Sequence, residues 1–118
     1  MAVLRIEIRS YFLPGPSTKA LKPGDYVVGR DPSCDIVIPD PYVSRKHMRI
    51  FYRDGKWYVV DMGSKNGTFI NGEDLRGKEP VELRKGMDIV LGLTTIRVLE
   101  VGEEKEGGER GEEAKEQS

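Results

Sequence analysis

The densest group of chemically capable side chains lies in one short stretch, PYVSRKHMRI, residues 41–50. It contains the only histidine of the chain, His47, three positions after Ser44, with Arg45 and Lys46 between them. A serine and a histidine this close could act as nucleophile and general base. That requires the imidazole to meet the hydroxyl and a third group to orient the ring. Both residues fall at the start of a predicted strand, where three extended residues send the two side chains to opposite faces. Only a bend before the strand would bring them together. No G-x-S-x-G elbow surrounds Ser44, and no second histidine offers another base. Nucleophilic catalysis is not expected, and the chain reads as a non-enzyme without catalytic residues.

Metal and nucleotide chemistry are equally unsupported. Asp31, Asp35, Asp40, Asp54 and Asp61 are spread over separate turns, with no EF-hand spacing. The single cysteine, Cys34, provides neither an internal disulfide nor a cysteine-based zinc site, and reads as a packing residue. GRDPSCD and MGSKNGT are glycine-bearing but match neither a P-loop nor a dinucleotide fingerprint. No metal or cofactor is expected. Taken with PYVSRKH, however, these loops supply a set of anion-binding groups. Arg30 comes from the first, Ser44, Arg45 and Lys46 from the second, and Ser64, Lys65 and Asn66, beside Gly67, from the third. Gathered at one end of a sheet, they would suit a phosphate dianion, with arginine giving bidentate geometry and hydroxyl and amide groups completing the shell. Spacing alone equally allows ordinary exposed charges on a β-protein surface.

The elements that must position these loops are strands. In VLRIEIR, Leu4, Ile6 and Ile8 alternate with Arg5, Glu7 and Arg9, the period of a half-buried strand. DYVVG, DIVI, HMRIFYR, KWYVVDM, GTFING, DIVLG and TTIRVLE follow as short β-branched and aromatic runs bounded by turn residues. Asp54-Gly55 predicts a type I′ hairpin, and Asn71-Gly72 a second turn of this kind. The proline-rich FLPGPSTKALKPG reads as a long loop containing Thr18. EPVELRKGMD comes nearest to a helix, but Pro80 and Gly86 hem it in. The pattern predicts an all-β sandwich or barrel. Trp57, Ile36, Ile38, Val59, Ile89 and Leu91 read as core.

Bulk properties agree. A chain of 118 residues with 37% hydrophobic and 33% charged residues suits one soluble domain with a lean core. No apolar run reaches membrane-spanning length, and the N-terminus is broken by charges too early for a secretory signal. A cytoplasmic protein is expected. Residues 102–118 carry seven Glu against two Lys and one Arg, a net −4, which leaves +3 on residues 1–101. The segment has too little apolar surface to repay ordering, and reads as an acidic disordered tail or linker. The remaining +3 is too mild and scattered to signal nucleic acid.

In these same residues the sequence resembles a forkhead-associated (FHA) domain. The likeness runs through Gly29-Arg30, CDIVI, Ser44-x-x-His47, DMGSKNGTFING and LRKGMDIVLG, dense over residues 26–92. It implies an FHA domain over 1–101: a two-sheet antiparallel β-sandwich that binds phosphothreonine peptides through loops at one end, without catalysis. Arg30 then resembles the main phosphate-binding arginine and Ser44 the serine that hydrogen-bonds the phosphate. Arg45 stands where a second phosphate or peptide contact often lies. Asn66 resembles the asparagine that holds the peptide backbone, and Lys65 adds charge beside it. His47 resembles a structural histidine bracing Ser44, while Gly29, Gly67, Asn71 and Gly72 serve backbone geometry. The implied partners are a phosphothreonine-containing protein and an upstream Ser/Thr kinase, with no nucleic acid and no membrane. The competing expectation is a scaffold or homo-oligomer that uses a sheet face independently of phosphate.

Overall fold

The computed structural model describes residues 2–102. The expected acidic tail lies, apart from Gly102, outside the described residues. Eleven strands follow in order: β1 Leu4–Ser10, β2 Ser17–Leu21, β3 Asp25–Gly29, β4 Ile36–Val37, β5 Met48–Arg53, β6 Lys56–Asp61, β7 Phe69–Ile70, β8 Glu73–Asp74, β9 Val81–Glu82, β10 Asp88–Leu91 and β11 Thr94–Val101. They form two sheets, β2-β1-β11-β10-β7-β8 and β4-β3-β5-β6-β9. Pairing is antiparallel except between β3 and β4, which run parallel through Val28–Ile36 and Gly29–Val37.

The period-two pattern decides which residues go inside. Leu4, Ile6 and Ile8 of β1 are buried, and so are Ile89 and Leu91 of β10 and Ile96 and Val98 of β11. They pack against Val28, Met48, Ile50, Trp57 and Val59 of the second sheet. Burying a large aliphatic or aromatic side chain is worth about 1.5–3 kcal/mol, so this shared layer holds the sheets together. Trp57 is fully buried, and its indole N–H donates to the Ala2 carbonyl at 3.2 Å, so its one polar group is not orphaned. All six expected core residues are buried.

Both expected tight turns form. Asp54 and Gly55 have φ of 52° and 83°, and Asn71 and Gly72 have φ of 52° and 78°. The nearest helix candidate instead contains β9. The expected long loop is corrected too. Pro14 and Pro16 precede the stretch Ser17–Leu21 and Pro23 follows it, so the stretch itself is free to pair as β2 on the edge of the first sheet. Thr18 there stands opposite Glu7.

The first and last strands are neighbours. Leu4 pairs with Val101 and Ser10 with Thr94, and the Gly102 N–H donates to the Val3 carbonyl at 2.9 Å. The Ser10–Thr94 end of this pair is the end at which the three polar loops gather. Asp40, fully buried, ties that end across the two sheets. Its carboxylate accepts from the Tyr42 N–H at 2.8 Å, the Leu93 N–H at 2.7 Å and the Thr94 hydroxyl at 2.8 Å.

Candidate functional site

Strand β3 ends at Gly29, and the loop carrying Ser44 folds directly over it. The Arg30 N–H donates to the Ser44 carbonyl at 3.0 Å and the Asp31 N–H to the Arg45 carbonyl at 3.2 Å. The His47 N–H donates to the Val28 carbonyl at 2.9 Å. Cys34, expected as a half-buried packing residue, is buried and points its Sγ at the same Arg45 carbonyl, 3.0 Å away. Burial pushes its thiol pKa up, which keeps it protonated and able to donate. An ideal Cβ on Gly29 would lie 2.0 Å from the Arg45 carbonyl oxygen. Only glycine lets the loop come this close.

Ser44 and His47 do meet, contrary to the opposite-face expectation. Strand β5 begins only at Met48, so residues 44–47 form a bend. The ring, however, meets the serine's backbone. The Ser44 N–H donates to His47 Nδ1 at 2.9 Å, and Nε2 lies 2.9 Å from the Gly67 carbonyl. An accepting Nδ1 fixes the neutral tautomer with the proton on Nε2. The fully buried ring therefore pins the second loop to the third. Burial holds its pKa below the ordinary histidine value, against the Gly67 carbonyl and the charges of Asp61 and Asp40. It cannot act as a base toward the Ser44 hydroxyl, which instead accepts from the Lys65 N–H at 3.0 Å. That bond occupies the oxygen as acceptor and leaves its own proton to donate to a ligand.

The third loop is organised by Asp61, which opens the DMGSKNGTFING motif but is not among the expected site residues. Its carboxylate accepts from the N–H groups of Gly63 and Ser64, both at 2.8 Å. It also accepts from the hydroxyls of Ser64 and Thr68, both at 2.6 Å. Burial would raise its pKa, but these hydrogen bonds outweigh burial and hold the carboxyl below its usual range. Ser64 Oγ in turn accepts from the Gly67 N–H at 3.0 Å. Gly67 has φ of 96°, which aims its carbonyl at His47 in a conformation that disfavours other residues. The one local signal for Asp61 is an Asp followed three residues on by Ser, a common side-chain-to-backbone turn.

Arg76 is a second support outside the expected set. Its Nη1 donates to the Lys65 carbonyl at 2.8 Å, while Nε and Nη2 clamp Asp74 at 2.9 and 2.7 Å. The paired guanidinium lowers the Asp74 pKa. Asn71 and Gly72 close the β7–β8 hairpin that carries Asp74, so their support of the loop is indirect. We expect Arg76→Ala to weaken ligand binding several-fold while leaving the far-UV circular dichroism unchanged; titration of the variant measures it.

Around this frame the expected ligand groups converge. Arg30 donates through Nε to the Val43 carbonyl at 3.0 Å, which fixes the guanidinium and leaves its Nη groups for an anion. Arg45, Lys46 and Lys65 are exposed beside it. Asn66 donates its amide to the Tyr42 carbonyl at 2.9 Å, which leaves its own amide oxygen to accept from a peptide N–H. Asp31 at the rim contacts Ser33, and that hydroxyl, helped by Arg45 and Lys46, lowers its pKa. Among the described residues no group of three His, Cys, Asp or Glu is arranged to hold a metal.

A profile of the family described as the FHA domain matches residues 26–92. The chain belongs to the FHA family. Members of this family are phosphothreonine-binding recognition modules. This FHA domain is 41% identical over 90 residues to the oxoglutarate dehydrogenase inhibitor of Corynebacterium diphtheriae, a match covering 76% of this chain and 55% of that protein. It superposes on the solution structure of the FHA domain of an Arabidopsis thaliana hypothetical protein with a TM-score of 0.77 and 34% identity, covering 91% and 92% of the two chains. A further FHA structure, solved in a study of phosphothreonine-dependent FHA interactions, aligns with a TM-score of 0.69 and 26% identity over 83% and 98% of the chains. The chain spans about half the length of the first curated relatives it matches. No helix among the described residues of the domain is long and apolar enough to cross a membrane.

Proposed function

We propose that this domain captures a phosphothreonine segment of a partner protein, downstream of a Ser/Thr kinase, and performs no chemistry on it. Arg30, Ser44 and Arg45 take the phosphate, Lys65 adds charge beside it, and Asn66 holds the peptide backbone. The observation that carries this reading is the fastening of the three loops around Ser44. Its carbonyl accepts from Arg30, its N–H donates to His47 and its hydroxyl accepts from Lys65. The donors are thus set before the ligand arrives, and less binding free energy goes into ordering them. The reading places the domain in the cytoplasm, alongside its kinase and partner.

A phosphate-independent sheet-face contact has less support. The outward sheet surfaces carry ion pairs, Arg97–Asp88 and Arg49–Asp25 at 2.8 Å and Arg9–Glu7 at 2.9 Å, where such a contact would need apolar area.

Titration with a threonine peptide in its phosphorylated and unphosphorylated forms tests the proposal. Binding should require the phosphate, and Arg30→Ala should weaken it by roughly 10- to 150-fold, the worth of one charge-assisted hydrogen bond. Equal affinity for the two forms would sink the reading.

A further inference from the structure

Asp40 does more than join the two sheets. Its carboxylate divides its partners between its oxygens. Oδ1 accepts from the Tyr42 N–H, and Oδ2 accepts from the Leu93 N–H and the Thr94 hydroxyl. Thr94 gives its one proton to that carboxylate, which leaves its oxygen to accept from the Ser10 hydroxyl, 2.8 Å away. Ser10 Oγ in turn accepts from the Phe12 N–H at 3.2 Å. Asp40 thus heads a chain of hydrogen bonds that reaches the turn between β1 and β2. Gly92 makes room for it, since a Cβ there would lie 2.8 Å from Asp40 Oδ2. A carboxylate has acceptors on both sides. The neutral amide of the same size would turn an NH2 group toward either the Tyr42 or the Leu93 N–H.

On its Oδ1 side, Asp40 fixes the start of the loop that carries Ser44. The Asp40 carbonyl accepts from the Val43 N–H at 3.0 Å, which closes a tight turn over residues 40–43 with the Oδ1 bond to Tyr42 inside it. Val43 is buried, so the turn is seated in the core. The turn sets where the next carbonyls point, and these hold the ligand groups. The Tyr42 carbonyl accepts from the Asn66 amide, the Val43 carbonyl from Arg30 Nε, and the Ser44 carbonyl from the Arg30 N–H. The segment is fastened at both ends, by Asp40 before it and by His47 after it. His47 bonds Ser44 directly. Asp40 stands behind the two carbonyls that orient the Arg30 and Asn66 side chains.

Building on the phosphothreonine reading above, we propose that Asp40 is a positioning residue for phosphopeptide binding. By fixing the Tyr42 and Val43 carbonyls it sets the direction of the Arg30 guanidinium and of the Asn66 amide, and it touches no ligand itself. With the carboxylate gone, the Tyr42 and Leu93 N–H groups lose the acceptor that joins them, and the turn comes away from the connection between β10 and β11. Arg30 then keeps its charge and loses the fixed fork that suits a phosphate. Ordering that fork again would draw on the binding free energy.

The test uses the full chain and its Asp40→Asn variant. The free protein is read first, by NMR. The Arg30 Nε–H and Asn66 amide protons, held by carbonyls in the parent, should exchange with water several-fold faster in the variant. A threonine phosphopeptide should then bind roughly tenfold more weakly, as for residues that share partners. Arg30→Lys keeps the charge but lacks the Nε–H that Val43 holds. In that background Asp40→Asn should cost only about threefold, the share that acts through Asn66. Val98→Ala, in the core of β11, controls for lost stability alone. It should lower Tm and leave binding unchanged at a temperature where every variant is folded. Gly92→Ala presses on the carboxylate without removing it, should give the same signature in milder form, and serves if Asp40→Asn does not fold. Unchanged Arg30 and Asn66 signals would overturn the proposal. So would an equal loss of binding in the parent and Arg30→Lys backgrounds. If phosphorylated and unphosphorylated peptides bind the parent alike, the phosphothreonine reading fails, and the free-protein signals still decide whether Asp40 directs Arg30.

Discussion

Gly29→Ala should abolish phosphothreonine-dependent binding and lower the stability of the domain by about 3 kcal/mol, the upper range for overpacking. The added methyl would sit 2.0 Å from the Arg45 carbonyl oxygen, 2.7 Å from its carbon and 3.0 Å from the Ser44 carbonyl oxygen. All three are backbone atoms, so no rotamer change relieves the overlap; the loop has to lift. Lifting it breaks the bonds from Arg30 N–H, Asp31 N–H and Cys34 Sγ that hold it down. Ser44 and Arg45 then lose their places beside Arg30. Gly15→Ala is the matched control, since nothing lies within 4 Å of a Cβ there. Thermal melts and a phosphopeptide titration of both variants decide the matter. A Gly29→Ala variant that binds like the parent would refute the close approach as the reason for glycine.

His47→Ala should cost about as much, roughly 3 kcal/mol, from the cavity and from the Ser44 N–H and Gly67 carbonyl left without their partner. For a domain of this size that is a fall of roughly 10–20 °C in Tm. Binding should weaken too, because the second and third loops lose the ring that joins them. The pH dependence follows from the same geometry. Folding holds the ring neutral, so its folded pKa lies below the unfolded one, near 6.5. The contribution is complete above that value. It is lost as pH falls from about 6.5 through the folded pKa, because the unfolded chain takes up the proton first. His47 is the only histidine, and carboxylates titrate lower, so the window between about pH 6.5 and 5 isolates this one group. Chemical denaturation across that window should show stability falling in the parent and much flatter behaviour in His47→Ala. A parent curve as flat as the variant's would remove the neutral ring from the account.

Much of the fold and of the site is legible in the amino-acid sequence. Alternation in VLRIEIR and the Asp54-Gly55 turn identify strands and a hairpin because both signals are local. Gly29-Arg30, Ser44-x-x-His47 and Asn66-Gly67 stand out as ordered motifs. What the sequence hides depends on partners far along the chain. Asp40 acquires its purpose only when Leu93 and Thr94 are folded against it, 53 and 54 residues away. Arg76 looks like one more surface charge until the β7–β8 hairpin brings it to the Lys65 carbonyl. The Ser44–His47 contact is hidden because β5 starts only at Met48, which leaves a bend at residues 44–47 where extended chain is expected. β2 is hidden because prolines outside a strand resemble prolines within a loop.

The adjacency of β1 and β11 has a consequence for how such a unit is used. With Leu4 opposite Val101, the chain enters and leaves at a single point. The strands then run roughly 20 Å, at about 3.3 Å per residue, before reaching the end that bears Ser44 and Arg30. The domain is therefore a cassette with both its leads on the side away from the proposed phosphopeptide site. Sequence spliced before it, after it or on both sides would leave the proposed site uncrowded. The first curated relatives it matches are about twice as long as the stretch they share with it.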